Sequence, residues 1–199
     1  MNRSHITLLA CMSIMMAIGS LYAFSIFLVP WENLLNASRS EVSAIFSVAA
    51  ISATVTIFLG YKVYHLLPPS WFGAVVCFVA AAGAAIAGAG TTLLPIWIGF
   101  GVLFGGANGM GYGFVIQIAA QAIPERKGLA IGATASFYAI GTALAPVVLQ
   151  QALDAGGIAA AMNLLAVTFV VIGLFAGVLL KISGARFEPE PRDKSVETP

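Results

Sequence analysis

Six apolar stretches, each long enough to cross a bilayer, follow one another along almost the whole chain. About 20 helical residues span the hydrocarbon core of a membrane. Proline, glycine and charged residues separate the stretches, and reading between these breakers gives spans near 6–30, 41–61, 70–90, 93–122, 128–151 and 158–182. The stretches lack period-two alternation and are about twice as long as a barrel strand, so the sequence predicts an all-α polytopic membrane protein with six transmembrane helices.

Composition supports the same class of protein. Of the 199 residues, 60% are hydrophobic and 9% are charged, whereas a soluble domain carries about a quarter charged residues. A formal net charge of +1 and an apolar surface exclude nucleic-acid binding. The apolar run continues unbroken to Pro30, which indicates a spanning helix rather than an export signal.

No cofactor is expected from this sequence. The two cysteines, Cys11 and Cys77, lie alone within apolar runs and predict neither a disulfide nor a metal site. The sequence contains no metal-ligand cluster and no phosphate-binding loop. An intramembrane serine protease lacks its Gly-x-Ser-Gly motif here, and a thiol oxidase would need paired cysteines. We therefore predict that the protein is not an enzyme.

Positive charge is distributed unevenly between the two ends of the spans. With the N-terminus inside, the inner loops hold eight of the nine Lys and Arg residues, and only Arg39 lies outside. The positive-inside rule then predicts that both termini are cytoplasmic. We expect an integral protein of the plasma membrane, which in a bacterium is the inner membrane. The polar segment 183–199 is predicted to be a disordered cytoplasmic tail.

Polar residues concentrate in the first, second, fourth and fifth spans, while the third and sixth are almost featureless. Because hydrocarbon disfavours polar groups, the polar spans should face a partner or a wet cavity, and the other two should face lipid. In the fourth span a glycine recurs every four residues, at Gly101, Gly105, Gly109 and Gly113. This stripe allows close approach of a neighbouring backbone, either for fixed packing or for a sliding interface.

Two segments carry recognisable motifs: Gly-Ser-Leu-Tyr-Ala-Phe-Ser-Ile-Phe at 19–27 and Pro-Glu-Arg-Lys-Gly-Leu-Ala at 124–130. They resemble the first helix and the turn into helix five of the major facilitator superfamily, and specifically of its oxalate/formate antiporter and monocarboxylate branch. The spacing of Gly132, Gly141, Ala145 and Pro146 is similar to the antiporter motif of helix five. Leu149 and Gln150 stand where this motif closes with a glycine pair.

The loop after the second span departs from the resembled family. That family's loop begins with glycine and carries an acidic residue four positions on, followed by basic residues, which form an ionic latch. Here Gly60 is followed at that distance by Tyr64, so the latch is absent or replaced. The next residue, His65, is interpreted as an interfacial side chain, with a proton sensor as the alternative.

The resemblance implies that helices one, two, four and five line a pathway between two six-helix halves. The candidate contacts along this pathway are Tyr22, Ser25, Asn108, Tyr112, Tyr138 and Thr142. Candidate positions for helix packing or gating are Gly101, Gly105, Gly109, Gly113, Gly132, Gly141 and Pro146. For each pathway residue, a hydrogen bond between helices or simple packing is the alternative.

The expected function is half of a secondary transporter that moves a small organic anion, a mono- or dicarboxylate, by alternating access. No Asp, Glu, Lys or Arg falls at the centre of a span, so a second six-helix half would have to supply a cation for the anion. That half is expected to be a second copy of the chain or a separate polypeptide. The alternative is a non-transporting membrane subunit, a regulator or a truncated remnant of a transporter.

Overall fold

A computed structural model describes residues 2–187, and all the regular structure in this range is helical. Five stretches are long and apolar enough to cross a membrane. The first four are α1 (Arg3–Leu35), α2 (Arg39–Gly60), α3 (Pro69–Ala89) and α4 (Leu93–Ala122). The fifth contains the continuous element Lys127–Ser183, which divides into α5 (127–155) and α6 (158–183). The all-helical fold class predicted from the sequence is confirmed.

The division between α5 and α6 lies at two glycines. Gly156 has a non-helical ψ, and Gly157 has φ +72°, a left-handed conformation that glycine adopts without the steric cost of a Cβ atom. The chain reverses there, so α6 returns beside α5. The polar segment predicted to begin at residue 183 starts inside α6, since Ser183 is helical. Most of that segment, residues 188–199, lies outside the described residues.

Two helices change their winding in the middle. In α1 the segment Gly19–Phe27 is a 3-10 helix between α-helical Arg3–Ile18 and Leu28–Leu35. In α4 the segment Trp97–Phe104 is a π-helix. A 3-10 helix has three residues per turn, so side chains three apart lie on one face. This winding aligns Tyr22 with Ser25, and both are exposed.

The short connection between α1 and α2 is held by polar contacts. Ser38 and Glu41 form a capping box at the start of α2. The Glu41 amide donates a hydrogen bond to the Ser38 side chain, and the Ser38 amide donates one to the Glu41 carboxylate at 2.9 Å. Arg39 Nε donates to Glu32 Oε1 at 2.8 Å across the connection. These contacts stabilise the turn between α1 and α2.

The glycine stripe of α4 is the surface on which α2 packs. A Cβ atom at Gly101 would lie 2.9 Å from the Val48 side chain, and one at Gly105 would lie 2.5 Å from the Cα atom of Ala49. Gly109 packs even more closely on the Ala53 carbonyl. Only glycine allows these backbones to approach so closely. Gly101, Gly105 and Gly109 thus form the contact between α4 and α2. Whether this contact is fixed or slides stays a prediction.

The share of buried residues in a helix does not follow the number of its polar residues. Of the residues in the most apolar 18-residue stretch of α3, 56% are buried within the bundle. In the corresponding stretch of α2 the share is 17%. The reason is that small residues let α3 and α6 approach each other: a Cβ atom at Gly173 of α6 would lie 2.8 Å from the Cβ atom of Cys77 in α3. The expectation that the third span mainly faces lipid is therefore not met. Its low polarity also suits packing between helices.

Because the six segments alternate in direction, the start of α1 and the end of α6 lie at the same end of the bundle, here called the terminal end. The loop between α2 and α3, residues 61–68, also lies at the terminal end. There the ring of Tyr64 is 5.7 Å from that of Phe187, just after α6.

Candidate functional site

Three tyrosines from three helices meet on one side of the bundle. Tyr138 of α5 lies between Tyr22 of α1 and Tyr112 of α4, with ring centroids 6.1 Å and 5.5 Å away. Both pairs are edge-to-face, at 84° and 86°, an arrangement that the ring quadrupoles favour. The structure therefore brings together three of the six residues that the sequence nominated as pathway contacts. We call this set the tyrosine face.

The tyrosine face is open on the side of Tyr22. That side chain is 53% exposed, while Tyr112 and Tyr138 are half-buried. Exposed Ser25 lies three residues along the same 3-10 segment, so its hydroxyl extends the polar strip. Phenol and serine hydroxyls donate and accept hydrogen bonds without a permanent charge. The face is suited to hold a small polar solute by hydrogen bonds.

Phe46 of α2 also contacts the tyrosine face, although the sequence did not predict it as a pathway residue. Its ring centroid is 6.0 Å from Tyr22 and 5.4 Å from Phe24. A phenylalanine in an apolar span carries no signal that separates it from lipid-facing neighbours. Phe46 supports Tyr22 from the α2 side, so the exposed tyrosine is held between two aromatic rings.

Asn108 occupies a different place from the tyrosines. It is 4% exposed, and its Nδ2 donates a hydrogen bond to the backbone carbonyl of Ile18. The bond joins α4 to α1 where α1 changes to its 3-10 winding at Gly19. In this conformation Asn108 therefore links α4 to α1, one turn before Tyr112 in α4.

Thr142 also connects two helices. Its hydroxyl lies 3.1 Å from the Gly19 carbonyl of α1 and 3.0 Å from the Tyr138 carbonyl one turn earlier in α5. Next to it, Gly141 lies against the backbone of Met16, and Gly19 lies against the Tyr138 carbonyl. This crossing fixes Tyr138 relative to α1. Thr142 thus helps to hold Tyr138 of the tyrosine face in place against α1.

The remaining nominated positions lie apart from this crossing. A Cβ atom at Gly132, the first glycine of the α5 motif, would meet no atom of residues 2–187 within 4 Å. Pro146 is half-buried inside α5. Gly113 closes the stripe of α4 and lies against the Tyr64 hydroxyl rather than against α2.

Tyr64, which stands in place of the acid of an ionic latch, is an aromatic anchor at the terminal end. It is 1% exposed and contacts the rings of Phe72, Phe114 and Phe187, with the Phe72 centroid at 5.4 Å. Its hydroxyl has no hydrogen-bond partner among the described residues. Burial raises the pKa of Tyr64 to about 12, so the phenol is neutral at physiological pH. Ring packing occupies the place where the resembled family has a charge.

Comparison with known proteins identifies the family. The chain matches the Major Facilitator Superfamily over residues 8–198, and it belongs to this superfamily. It is 24% identical over 193 residues to the uncharacterized MFS-type transporter YhjX of Escherichia coli (strain K12). The chain is therefore an integral membrane protein of a transporter family, and the prediction that it is not an enzyme is confirmed.

The bundle is similar to half of a solved transporter. The structure of the MFS proton:xylose symporter XylE bound to 6-bromo-6-deoxy-D-glucose superposes with a TM-score of 0.64 at 16% identity. The match covers 90% of this chain and 43% of XylE, and the match to YhjX covers 97% of this chain and 46% of YhjX. The chain thus spans less than half the length of the relatives it matches, and its fold is that of half a facilitator.

Proposed function

We propose that this chain is the N-terminal half of a secondary transporter that moves a small organic anion, a mono- or dicarboxylate, by alternating access. The observation that carries the proposal is the tyrosine face, where Tyr22, Tyr112 and Tyr138 meet beside exposed Ser25. Their hydroxyls can bind a carboxylate, while the ring faces pack its carbon skeleton. Substrates of transporters built from repeats bind near the midplane between two halves.

A second six-helix half is part of the proposal. The charged residues of the described chain lie at or near helix ends, so the tyrosine face itself is neutral. A carboxylate in a low-dielectric cavity needs a cation or several hydrogen-bond donors. We assign the cation to the second half, which is either another copy of this chain or a different polypeptide. The excess of Lys and Arg at the terminal end supports a cytoplasmic location of both termini.

Cross-linking in native membranes, followed by mass measurement, identifies the second half. The assembly so identified is then purified and reconstituted in liposomes, and uptake of labelled oxalate, formate and lactate is measured, with xylose as a neutral comparison. We expect uptake of at least one of the anions. A monomeric mass together with no uptake would contradict the proposal, and uptake of xylose alone would contradict the anion class.

Tyrosine variants connect that uptake to the site. Tyr22→Phe and Tyr138→Phe keep the ring contacts but remove one hydroxyl each, so both should raise the substrate KM several-fold. Tyr61→Phe is the matched control, because Tyr61 is 58% exposed just after α2 and lies outside the tyrosine face. An unchanged KM in both site variants would remove these hydroxyls from the binding site.

A further inference from the structure

A cavity of about 480 Å³ lies at the terminal end between the α2–α3 loop and the last turn of α6. Its volume is many times the roughly 30 Å³ that one water occupies in the liquid. It is lined by His65, Leu66, Leu67, Pro68, Pro69, Ser70, Leu180, Lys181, Gly184, Ala185, Arg186 and Phe187. This cavity is separate from the tyrosine face and shares no residue with it.

The described side chains that line the cavity include two permanent positive charges. Lys181 and Arg186 contribute two cationic side chains, and neutral or protonated His65 adds another nitrogen donor. All three residues are exposed. None of the lining residues within 2–187 is acidic. Among residues 2–187, the acidic residue at the terminal end is Glu125, in the turn between α4 and α5.

The start of α3 adds to the positive potential. This 21-residue helix begins at Pro69, and both Pro69 and Ser70 line the cavity. Pro68 and Pro69 have no amide hydrogen, and the Trp71 and Phe72 amides donate to the Pro68 carbonyl. The amide that this helix start can offer is therefore that of Ser70, where the aligned peptide dipoles place partial positive charge. The Ser70 hydroxyl supplies a neutral donor beside the two cations. Together with Lys181 and Arg186, the helix start forms a cluster of donors suited to phosphate oxygens.

Apolar side chains border the same cavity. Leu66 lines it and is 66% exposed, and Trp71 and Ile182, next in sequence to the lining residues Ser70 and Lys181, are 65% and 62% exposed. Tryptophan is enriched at the level of lipid headgroups, where one part of the ring is apolar and the other is wet. A ligand with a charged head and an apolar tail fits this arrangement of donors and exposed hydrocarbon.

We infer that this cavity binds a phosphate group, and that its source is the headgroup of an anionic phospholipid. The phosphate accepts hydrogen bonds from Arg186 and Lys181, while the acyl chains run along the exposed side chains of α3 and α6. Basic sites between helices on the cytoplasmic side of membranes bind such headgroups. The inference is independent of the transported substrate, because it needs neither the tyrosine face nor a second half.

Native mass spectrometry of the full chain in mild detergent tests this inference, with phosphatidylglycerol and phosphatidylcholine titrated separately. We expect several-fold tighter binding of phosphatidylglycerol. The double variant K181A/R186A should bind it roughly tenfold to thirtyfold more weakly, since each surface cation contributes about one kcal/mol toward anionic lipid. The double variant K181R/R186K, which keeps both charges, should retain most of the binding.

The matched control is R126A/K127A, which removes the same charge from the α4–α5 connection outside the cavity. It should leave phosphatidylglycerol binding unchanged. Equal loss in both alanine variants would show a general effect of surface charge and overturn the inference, and so would equal binding of the two lipids. Displacement of bound lipid by millimolar inorganic phosphate would assign the site to soluble phosphate, whereas resistance to phosphate would assign it to the lipid headgroup.

Discussion

The hydroxyl of Tyr64 occupies the space that a Cβ atom at Gly113 would need. The same hydroxyl also fills the space beside Gly60. Tyr64 thus closes the terminal end between α2 and α4, and the two glycines are the positions that admit its ring. This contact joins the last glycine of the α4 stripe to the loop in which the resembled family has an acidic residue.

Alanine at Gly113 should destabilise the protein. Overpacking of a well-packed site costs about 1–3 kcal/mol, and thermal unfolding in detergent measures the loss. The control is Gly132→Ala, where the added methyl group would meet no described atom within 4 Å. In a Tyr64→Phe background the cost of Gly113→Ala should shrink, because the clashing oxygen is gone. Equal costs in the two backgrounds would show that the hydroxyl does not set the limit.

The neutral phenol of Tyr64 should produce a stability loss at alkaline pH. Burial raises its pKa from the usual value of about 10 to about 12, so the folded protein retains this proton over a range where the unfolded chain loses it. The contribution of Tyr64 to the free energy of unfolding is therefore fully present below pH 10 and is lost as the pH rises to 12. Thermal unfolding temperatures measured from pH 8 to pH 12 should fall less steeply in Tyr64→Phe than in the wild type. Parallel curves would contradict the assignment.

The same Tyr64→Phe change should not reduce stability at neutral pH. The hydroxyl is buried and lacks a hydrogen-bond partner among the described residues, and an unpaired buried polar group costs about 1–3 kcal/mol. We expect an unchanged or higher unfolding temperature at pH 7. A clear decrease would show that the hydroxyl is bonded in solution, for example to water.

Alanine should have opposite effects at Gly105 of the glycine stripe and at its neighbour Gly106, which lies outside the stripe. A Cβ atom at Gly105 would lie 2.5 Å from the Cα atom of Ala49, whereas one at Gly106 would lie 3.5 Å from a Thr56 methyl group, an ordinary contact. Gly105→Ala must therefore push α2 away from α4 and should lower the unfolding temperature markedly. Gly106→Ala should be tolerated. Similar effects of the two variants would indicate that α2 and α4 are further apart than described.

Loss of the Asn108 amide should weaken the contact between α1 and α4. Hydrogen bonds between membrane helices contribute about 0.6 kcal/mol on average and up to about 1.7 kcal/mol, and we expect Asn108→Leu to cost an amount in this range. Thr168→Val is the control, because the Thr168 hydroxyl donates to the Leu164 carbonyl of its own helix and thus joins no second helix among the described residues. Loss of uptake in a variant whose stability is unchanged would instead indicate that Asn108 contacts the substrate pathway.

The sequence predicted the fold class well, because membrane-length apolar stretches and their breakers are local features. It also identified the superfamily through short motifs, which the match over 8–198 confirms. The oxalate/formate and monocarboxylate branch stays a prediction, as does the second half. Close approach at the α4 stripe could be predicted from the spacing alone, since glycines four apart lie on one side of a helix.

What the sequence by itself determined is therefore which segments are helical, that they lie in a membrane, and which helix surfaces are small or polar. Only the tertiary structure decided what each surface meets. Asn108 and Tyr112 are one turn apart in α4, yet the first bonds to α1 and the second joins the tyrosine face. Residue type gives polarity but not the partner, because the partner depends on how closely the glycines let neighbouring helices approach.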